Sequence, residues 1–248
     1  MSRAISILRG FSDQREIIIE DKGQAPVSGS YLGYVVQQPE RIEIYCDLSR
    51  PENVCQAVVV HELLHVILCH EGFPEIIMDL SMSSKLSPQQ QGLLPKLRGR
   101  FKSAIEHPEV FRRMISGFEL DLDSYFDAQI EQKLHMFKSG SRASSRRDQN
   151  YCFQRQQDIM WGIELFWYPS KQRDQVQSAF ERTHPDSYQS CVSLYNKVKE
   201  VGFRTPTSCY ESAQIIRSHI INYGKSKGGD VLSRMWETLQ VEKPGTRG

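Results

Sequence analysis

Two histidines and a glutamate in the run His-Glu-Leu-Leu-His, residues 61–65, are spaced to bind a zinc ion. On a helix, His61 and His65 lie on one face with Cβ atoms about 5–6 Å apart, so both imidazoles can reach one ion at roughly 2.0–2.1 Å. Glu62 points about a quarter of a turn away and can reach a water on the metal without binding the metal itself. The spacing therefore predicts Zn²⁺ held by His61 and His65, with Glu62 as the general base.

A third ligand has to come from another part of the chain, because catalytic zinc sites use three protein ligands and leave one position open. The adjacent pair Glu106 and His107 supplies the best candidates. Glu106 would give a site of two histidines and a glutamate, and His107 would give a site of three histidines; the sequence leaves both open. Weaker candidates are Asp121, Asp123 and Glu131 as ligands, and Tyr125 and His135 as groups that orient a substrate oxyanion.

The context of the motif favours a metal site over a chance match. Every residue from 57 to 68 other than His61, Glu62 and His65 is apolar, which predicts a helix buried on all sides. The helix carries no Lys or Arg to pair with Glu62, and an unpaired buried carboxylate is costly unless it is protonated. A metal ion accounts for all three polar side chains together. The alternative is a metal-free core helix with two hydrogen-bonded histidines and a protonated Glu62.

The segments before the motif predict a small sheet above this helix. Residues 15–20 and 31–36 are β-branched or aromatic runs bounded by turn residues. Residues 41–48 alternate between apolar and polar side chains, which predicts a strand buried on one face only.

The motif helix itself is predicted over residues 51–70. Ser49 can cap its start, Pro51 suits its first turn, and Gly72 is a suitable residue to end it. Strand, short turn and helix therefore follow one another directly.

The next segment is predicted to place Glu106 and His107 at a corner. Residues 81–92 are polar and rich in Pro, Gln and Ser, which predicts a surface loop. Two helices, residues 95–107 and 108–118, are then expected to meet at the corner, because a residue before proline disfavours the helical conformation.

The rest of the chain is predicted to be helical. A helix is expected over residues 123–137, and the Ser- and Arg-rich residues 139–150 are the best candidate for a linker. Further helices, separated by Pro and Gly, are expected at residues 151–168, 171–183, 187–201, 207–223 and 231–239. The sequence thus predicts an α+β fold with a metal-binding domain at residues 1–138, a linker at 139–150 and a mainly α-helical C-terminal region at 151–248.

Composition limits the partners and the compartment. A net charge of +1 gives no general attraction to nucleic acid or to a membrane surface. The N-terminus has too short an apolar stretch for a signal peptide, and no run of 18 apolar residues predicts a membrane span. The six cysteines lack CxxC spacing and are expected to be reduced thiols. We therefore expect a soluble cytoplasmic protein that binds neither nucleic acid nor membrane, with its oligomeric state left open.

The motif in this setting resembles the zincin metallopeptidases, in particular the small zincins of the ImmA/IrrE and minigluzincin kind. In these proteins the HExxH helix lies under a small sheet, a brief turn joins an edge strand to it, and the helix continues through an apolar stretch to a polar end, as in residues 66–70. The resemblance covers residues 15–137. The longer metzincin pattern is absent, because Leu68 and Glu71 stand where it requires Gly and His.

The resemblance implies a zincin-like sheet packed on a buried active-site helix, with His61 and His65 as ligands and Glu62 as the general base. It also implies that an edge strand at residues 41–48 can pair with an extended peptide. The activity implied is that of a zinc-dependent metallopeptidase acting on a peptide or protein substrate. Metal-activated water would attack the scissile carbonyl while Glu62 takes its proton and passes it to the leaving amine.

A second function remains open on sequence grounds. The chain could be a non-catalytic or regulatory zinc-binding module that engages a protein partner through its C-terminal helices. The aromatic residues crowded on the helix after Tyr151 favour such a surface as an alternative to internal packing.

Overall fold

The computed structural model describes residues 1–21, 23, 32–120, 122–138, 149–227 and 229–245. The first half contains α1 (Ser2–Gly10), β1 (Glu16–Asp21), β2 (Gly33–Gln37), β3 (Arg41–Cys46), α2 (Glu52–His70), β4 (Ile76–Met78), α3 (Leu80–Ser83), α4 (Pro88–Gly117) and α5 (Asp123–Lys138). The second half contains α6 (Gln149–Leu165), α7 (Arg173–Thr183), α8 (Pro185–Val201), α9 (Pro206–Ser226), α10 (Asp230–Glu237) and β5 (Leu239–Val241). These elements confirm the predicted α+β class with small sheets and a helical C-terminal region.

The strand order of the first sheet corrects one prediction. The order is β1-β3-β2, with β1 parallel and β2 antiparallel to β3. The prediction that residues 41–48 form an edge strand able to pair with a peptide is wrong, because β3 is hydrogen bonded to a neighbour on each side. The edges of this sheet belong to β1 and β2.

The central strand is also buried on both faces rather than on one. Glu43 and Tyr45, expected on the solvent face, are each only 6% exposed. The Tyr45 hydroxyl donates a hydrogen bond to Glu43 Oε2 at 3.0 Å, and its ring stacks on Tyr34 with centroids 4.9 Å apart. Long side chains of the neighbouring strand and of β3 itself therefore cover a face that the polar alternation predicted to be exposed.

Other elements of the fold cover the helix α2, as the apolar side chains around its whole circumference require. Ile42, Ile44 and Cys46 of β3 belong to the same buried cluster as α2, as do Ala4 and Leu8 of α1, a helix that the sequence analysis did not predict. Further contacts come from β2, α4 and α5. Among the described residues, α2 alone is long and apolar enough to cross a membrane, and 67% of its most apolar 18-residue stretch is buried inside the fold. This is the burial of a core helix.

The helix α4 (Pro88–Gly117) is continuous, so the predicted corner at Pro108 is wrong. The loop predicted over 81–92 is confirmed only at residues 84–87, between α3 and α4. Ser87 starts the helix within the expected loop, since it forms a capping box with Gln90. A proline inside a helix costs about 3 kcal/mol. Buried residues on both sides of Pro108 offset this cost by packing α4 against α2 and α6: Leu97, Phe101, Ile105, Phe111 and Met114.

The two halves of the chain share one core. β4, just after α2, pairs antiparallel with β5 near the end of the chain, a pairing that the sequence analysis did not predict. α4 contacts α6 and α9, and α5 contacts α7. Residues 139–148 of the predicted linker lie outside the described residues, and its last two residues begin α6. The domain division therefore stays a prediction, while the described helices of both halves belong to one buried cluster.

Candidate metal centre

His61, Glu62 and His65 lie in the middle of α2, as the sequence predicted for a helix over this segment. Pro51 occupies the N-cap position, and Gly72 follows the helix with a φ of +80°, which glycine adopts without strain. His61 is 5% exposed and Glu62 is 7% exposed. The three side chains are therefore held in the interior by a rigid element.

The two imidazoles of α2 face each other at a ligand-to-ligand distance. The Nε2 atoms of His61 and His65 are 3.1 Å apart. Two nitrogens that bind one tetrahedral zinc at 2.0–2.1 Å are roughly 3.3 Å apart. The Nδ1 atom of His61 is buried and has no hydrogen-bond partner among the described residues. The observed separation fits a shared metal ion with little rearrangement.

His107, on α4, is the third imidazole of this cluster. One possible ligand atom from each of His61, His65 and His107 lies within 4.8 Å of the others. The ring centroid of His107 is 4.9 Å from that of His61 and 5.4 Å from that of His65. The structure thus brings one member of the predicted pair into the donor set, and the described part of the chain adds no carboxylate to that set.

Glu106, the other member of the pair, lies behind a ligand rather than beside it. Its Oε2 is 2.6 Å from Nδ1 of His65, on the side of the ring opposite the Nε2 that faces His61. The side chain of Glu106 is 1% exposed, and Lys102 Nζ approaches Oε1 at 3.8 Å. A carboxylate in this place fixes the ring orientation of a metal-binding histidine and makes it more basic.

The electrostatics of the cluster favour a cation. Burial, together with the charges of His65 and His107, holds the pKa of His61 well below its ordinary value. Burial also acts to lower the pKa of His65, but the hydrogen bond and negative charge of Glu106 outweigh it and raise that pKa. His61 is therefore neutral near pH 7, the form in which an imidazole binds a metal.

Glu62 lies under the first residue of β2. Burial raises the pKa of Glu62 to about 7, and the charge of Glu106 adds to the rise while that of His65 opposes it. A Cβ atom at Gly33 would lie 3.7 Å from Glu62 Oε1, 2.8 Å from the carbonyl oxygen of Tyr45 and 2.2 Å from a methyl group of Val58. Only glycine therefore permits β2 to pass this close to α2. A carboxylate with a pKa near neutrality is suited to exchanging a proton.

Glu164, on α6, is a buried carboxylate beside the cluster that the sequence analysis missed. Its side chain is 2% exposed, and its Oε2 lies 3.7 Å from Nδ1 of His107. The apolar run at residues 159–168 is interrupted by Glu164 in the same way that the apolar run of α2 is interrupted by Glu62. That interruption was the signal available in the sequence.

The remaining candidates lie elsewhere or outside the described residues. Asp123 is exposed and pairs with Lys171 at 3.2 Å, and Glu131 is exposed. Asp121 and the side chain of His135 lie outside the described residues. Tyr125 is 1% exposed, with its ring centroid 5.8 Å from that of His61. Among those of these candidates whose side chains the structure describes, Tyr125 is the one brought into contact with the cluster.

Comparison of the chain with family models, with curated proteins and with solved structures gives no match. The assignment of function therefore rests on the chemistry of this cluster.

Proposed function

We propose that this protein is a zinc-dependent hydrolase, and specifically a metallopeptidase of the HExxH type, with Glu62 as its general base. The observation that carries the proposal is the convergence of three imidazoles on one point beside a buried glutamate: His61, His65 and His107, with Glu62. Such a set leaves one zinc position open for water, as catalytic sites require.

The roles of the side chains follow from their chemistry. Zinc in this site would polarise a carbonyl oxygen and lower the pKa of a water toward about 7. Glu62 accepts the proton of the attacking water and returns it to the leaving amine. Its pKa of about 7 suits both transfers, because the group is neither a strong acid nor a strong base near neutral pH.

For the third ligand we favour His107 over Glu106. His107 shares the donor set of His61 and His65, and the carboxylate of Glu106 is hydrogen bonded to His65 at 2.6 Å. On one continuous helix adjacent residues point about 100° apart, so Glu106 and His107 cannot both face the same ion in the same way.

The substrate we propose is an extended peptide, which would lie along the edge strand β2. β2 replaces the strand at 41–48 in this role, because it has the edge position and its Gly33 passes over Glu62. We also propose a cytoplasmic location, supported by the free thiols of the described cysteines: Cys46, Cys55, Cys69, Cys191 and Cys209.

Metal analysis tests the centre directly. Protein purified without chelator should contain about one zinc per chain, as expected for a single site of this kind. His61→Ala and His107→Ala should lose the zinc, and Glu106→Ala should retain it with lower affinity. His70→Ala is the matched control, since His70 lies on the same helix and binds Asp13 at 2.8 Å instead. No zinc in the wild type, before or after zinc is added, would remove the proposal.

Peptide hydrolysis tests the chemistry. Glu62→Gln should retain zinc and lose about 10²–10⁴-fold in rate, because the amide cannot accept the proton. A peptide library is the substrate, and the purified wild type is compared with the variant at equal zinc content. Equal rates in the two proteins would exclude Glu62 as the base.

A second candidate function is a regulatory zinc-binding module without turnover, which binds a protein partner through the C-terminal helices. The observation that favours it is the burial of His61 and Glu62, 5% and 7% exposed, which leaves little room for a substrate in the described structure. Tight zinc retention without hydrolysis of any library peptide would support this function over the first.

A further inference from the structure

Glu164 belongs to the C-terminal half of the chain yet lies against the metal centre of the first half. It is near the end of α6, which packs on α4, and its carboxylate approaches Nδ1 of His107 at 3.7 Å. Its side chain is 2% exposed, so water offers little compensation for its charge. Glu164 is therefore a buried acid at this contact, not a surface one.

Glu164 and Glu106 each approach the Nδ1 atom of an imidazole of the cluster. Glu106 Oε2 is hydrogen bonded to Nδ1 of His65 at 2.6 Å, and Glu164 Oε2 lies 3.7 Å from Nδ1 of His107, which is an ion-pair distance. A histidine that binds a metal through one ring nitrogen nearly always offers the other to a carboxylate, a carbonyl oxygen or water. Two of the three imidazoles thus have a buried carboxylate on the Nδ1 side of the ring, and a small movement of Glu164 toward His107 would give the second the hydrogen bond that the first already has.

Glu164 is placed to orient the ligand rather than to bind the metal. Among the described residues, the donor atoms that lie within 4.8 Å of one another are those of the three histidines. Glu164 contacts His107 and is outside that set. A carboxylate outside the donor set can still fix the tautomer and the rotation of the ring, because a proton on Nδ1 leaves Nε2 free to bind.

We propose that Glu164 is a positioning residue that holds His107 in the metal-binding orientation, so that the C-terminal half completes the metal centre. This inference rests on the proposed zinc site. It assigns α6 a part in that site, in addition to its packing on α4. Glu106 on His65 and Glu164 on His107 also bring two negative charges near a doubly charged ion, which offsets the cost of burying it.

Zinc affinity, measured by competition with a fluorescent chelator, tests the inference. Glu164→Gln should weaken zinc binding by about 10–100-fold relative to the wild type. Glu164→Asp keeps the charge and should recover part of the loss. Asp158→Asn is the matched control, because Asp158 is a buried acid on the same helix that pairs with Arg155 at 3.0 Å. It should bind zinc as the wild type does.

A spectroscopic measurement separates positioning from general loss of structure. With Co²⁺ in place of zinc, Glu164→Gln should change the visible absorption bands of the metal, and Asp158→Asn should leave them unchanged even though it destabilises the same helix. Glu164→Asp serves in both measurements if Glu164→Gln does not fold.

The outcomes distinguish this inference from the function on which it rests. Zinc binding by the wild type together with wild-type affinity in Glu164→Gln would overturn the role of Glu164 and leave the zinc site intact. Equal weakening in Asp158→Asn would also overturn it, since the loss would then come from α6 as a whole. Absence of zinc binding in the wild type would overturn both proposals.

Discussion

The helices α2 and α6 both carry titratable side chains in the core, but they surround them with different partners. On α6, Arg155 is 5% exposed and its Nη1 lies 3.0 Å from Oδ2 of Asp158. Gln156, fully buried, donates to the carbonyl oxygen of Ile220 and accepts from Trp236 Nε1. Opposite charges and complementary hydrogen-bonding groups meet there within the protein.

On α2 the partners are alike instead of complementary. His61 faces His65 and His107, so possible ligand nitrogens of three imidazoles lie together, with Nε2 of His65 3.1 Å from Nε2 of His61. Protonation of one imidazole disfavours protonation of its neighbours, which is part of the reason that the pKa of His61 is lowered. The difference teaches that buried polarity alone does not indicate a functional site. Three imidazoles whose ring nitrogens converge have the geometry that a metal ion would need, and a buried pair of Arg and Asp does not.

The largest effect should come from breaking the pair on α6. Asp158→Asn should lower the free energy of unfolding by about 3–5 kcal/mol, because it removes the negative charge that lies 3.0 Å from the buried guanidinium of Arg155. Denaturant unfolding of the zinc-free protein measures this cost. The double variant Arg155→Met with Asp158→Leu is the control and should restore most of the stability. A cost below about 1 kcal/mol would place this pair with exposed ion pairs and weaken the contrast between the helices.

Zinc should stabilise the folded protein through the histidines of the metal centre. The buried pair of Arg155 and Asp158 on α6 should not change that stabilisation. At a free zinc concentration of about 100 times Kd, the free energy of unfolding should rise by about 2.7 kcal/mol, since the ion binds the folded chain. His107→Ala should lose this increase, and Asp158→Asn should show all of it from a lower starting value. Thermal unfolding with and without zinc measures both. An equal increase in His107→Ala would mean that zinc binds elsewhere.

The sequence predicted the part of the site that depends on one helix. Spacing within residues 61–65 places His61 and His65 on a common face, and that relation holds for any helix. The apolar context predicted the burial of α2, and a small sheet was predicted before it. These predictions needed only local periodicity and turn residues.

The rest of the site depends on packing between helices, which local rules do not determine. The choice between Glu106 and His107 follows from the face that α4 turns toward α2, and that face follows from the continuity of the helix through Pro108. The approach of Glu164 depends on the packing of α6 against α4. The central position of β3 similarly depends on β1 pairing beside it across a long connection.

The pH dependence of stability should sharpen the comparison further. Burial, with the positive charge of Arg155, lowers the pKa of His184 to about 4, and His184 Nε2 lies 4.0 Å from Asp158 Oδ2. The unfolded chain binds a proton at His184 near pH 6.5, and the folded chain does not until pH approaches 4. Stability from this group is therefore present above about pH 6.5 and is lost, by at most about 3 kcal/mol, as the pH falls toward 4.

His184→Gln provides the control for this prediction. Free energies of unfolding measured between pH 7 and 4 in zinc-free protein should fall less steeply in the variant than in the wild type. Parallel curves would show that His184 contributes nothing to the pH dependence of stability. They would also show that the buried groups of α6 do not oppose the protonation of His184.

The smallest effect should come from the carboxylate behind His65. Glu106→Gln should weaken zinc binding by about 10–100-fold without abolishing it, because the amide can no longer balance the charge or fix the ring as strongly. Glu109→Gln is the matched control, since Glu109 lies one turn further along α4, is 1% exposed and accepts hydrogen bonds from Arg112 and Arg113 instead. It should lose stability and keep its zinc affinity. Complete loss of zinc in Glu106→Gln, with zinc retained in His107→Ala, would instead make Glu106 the third ligand. The comparison of the two helices would then have to include a carboxylate among the groups that bind the metal.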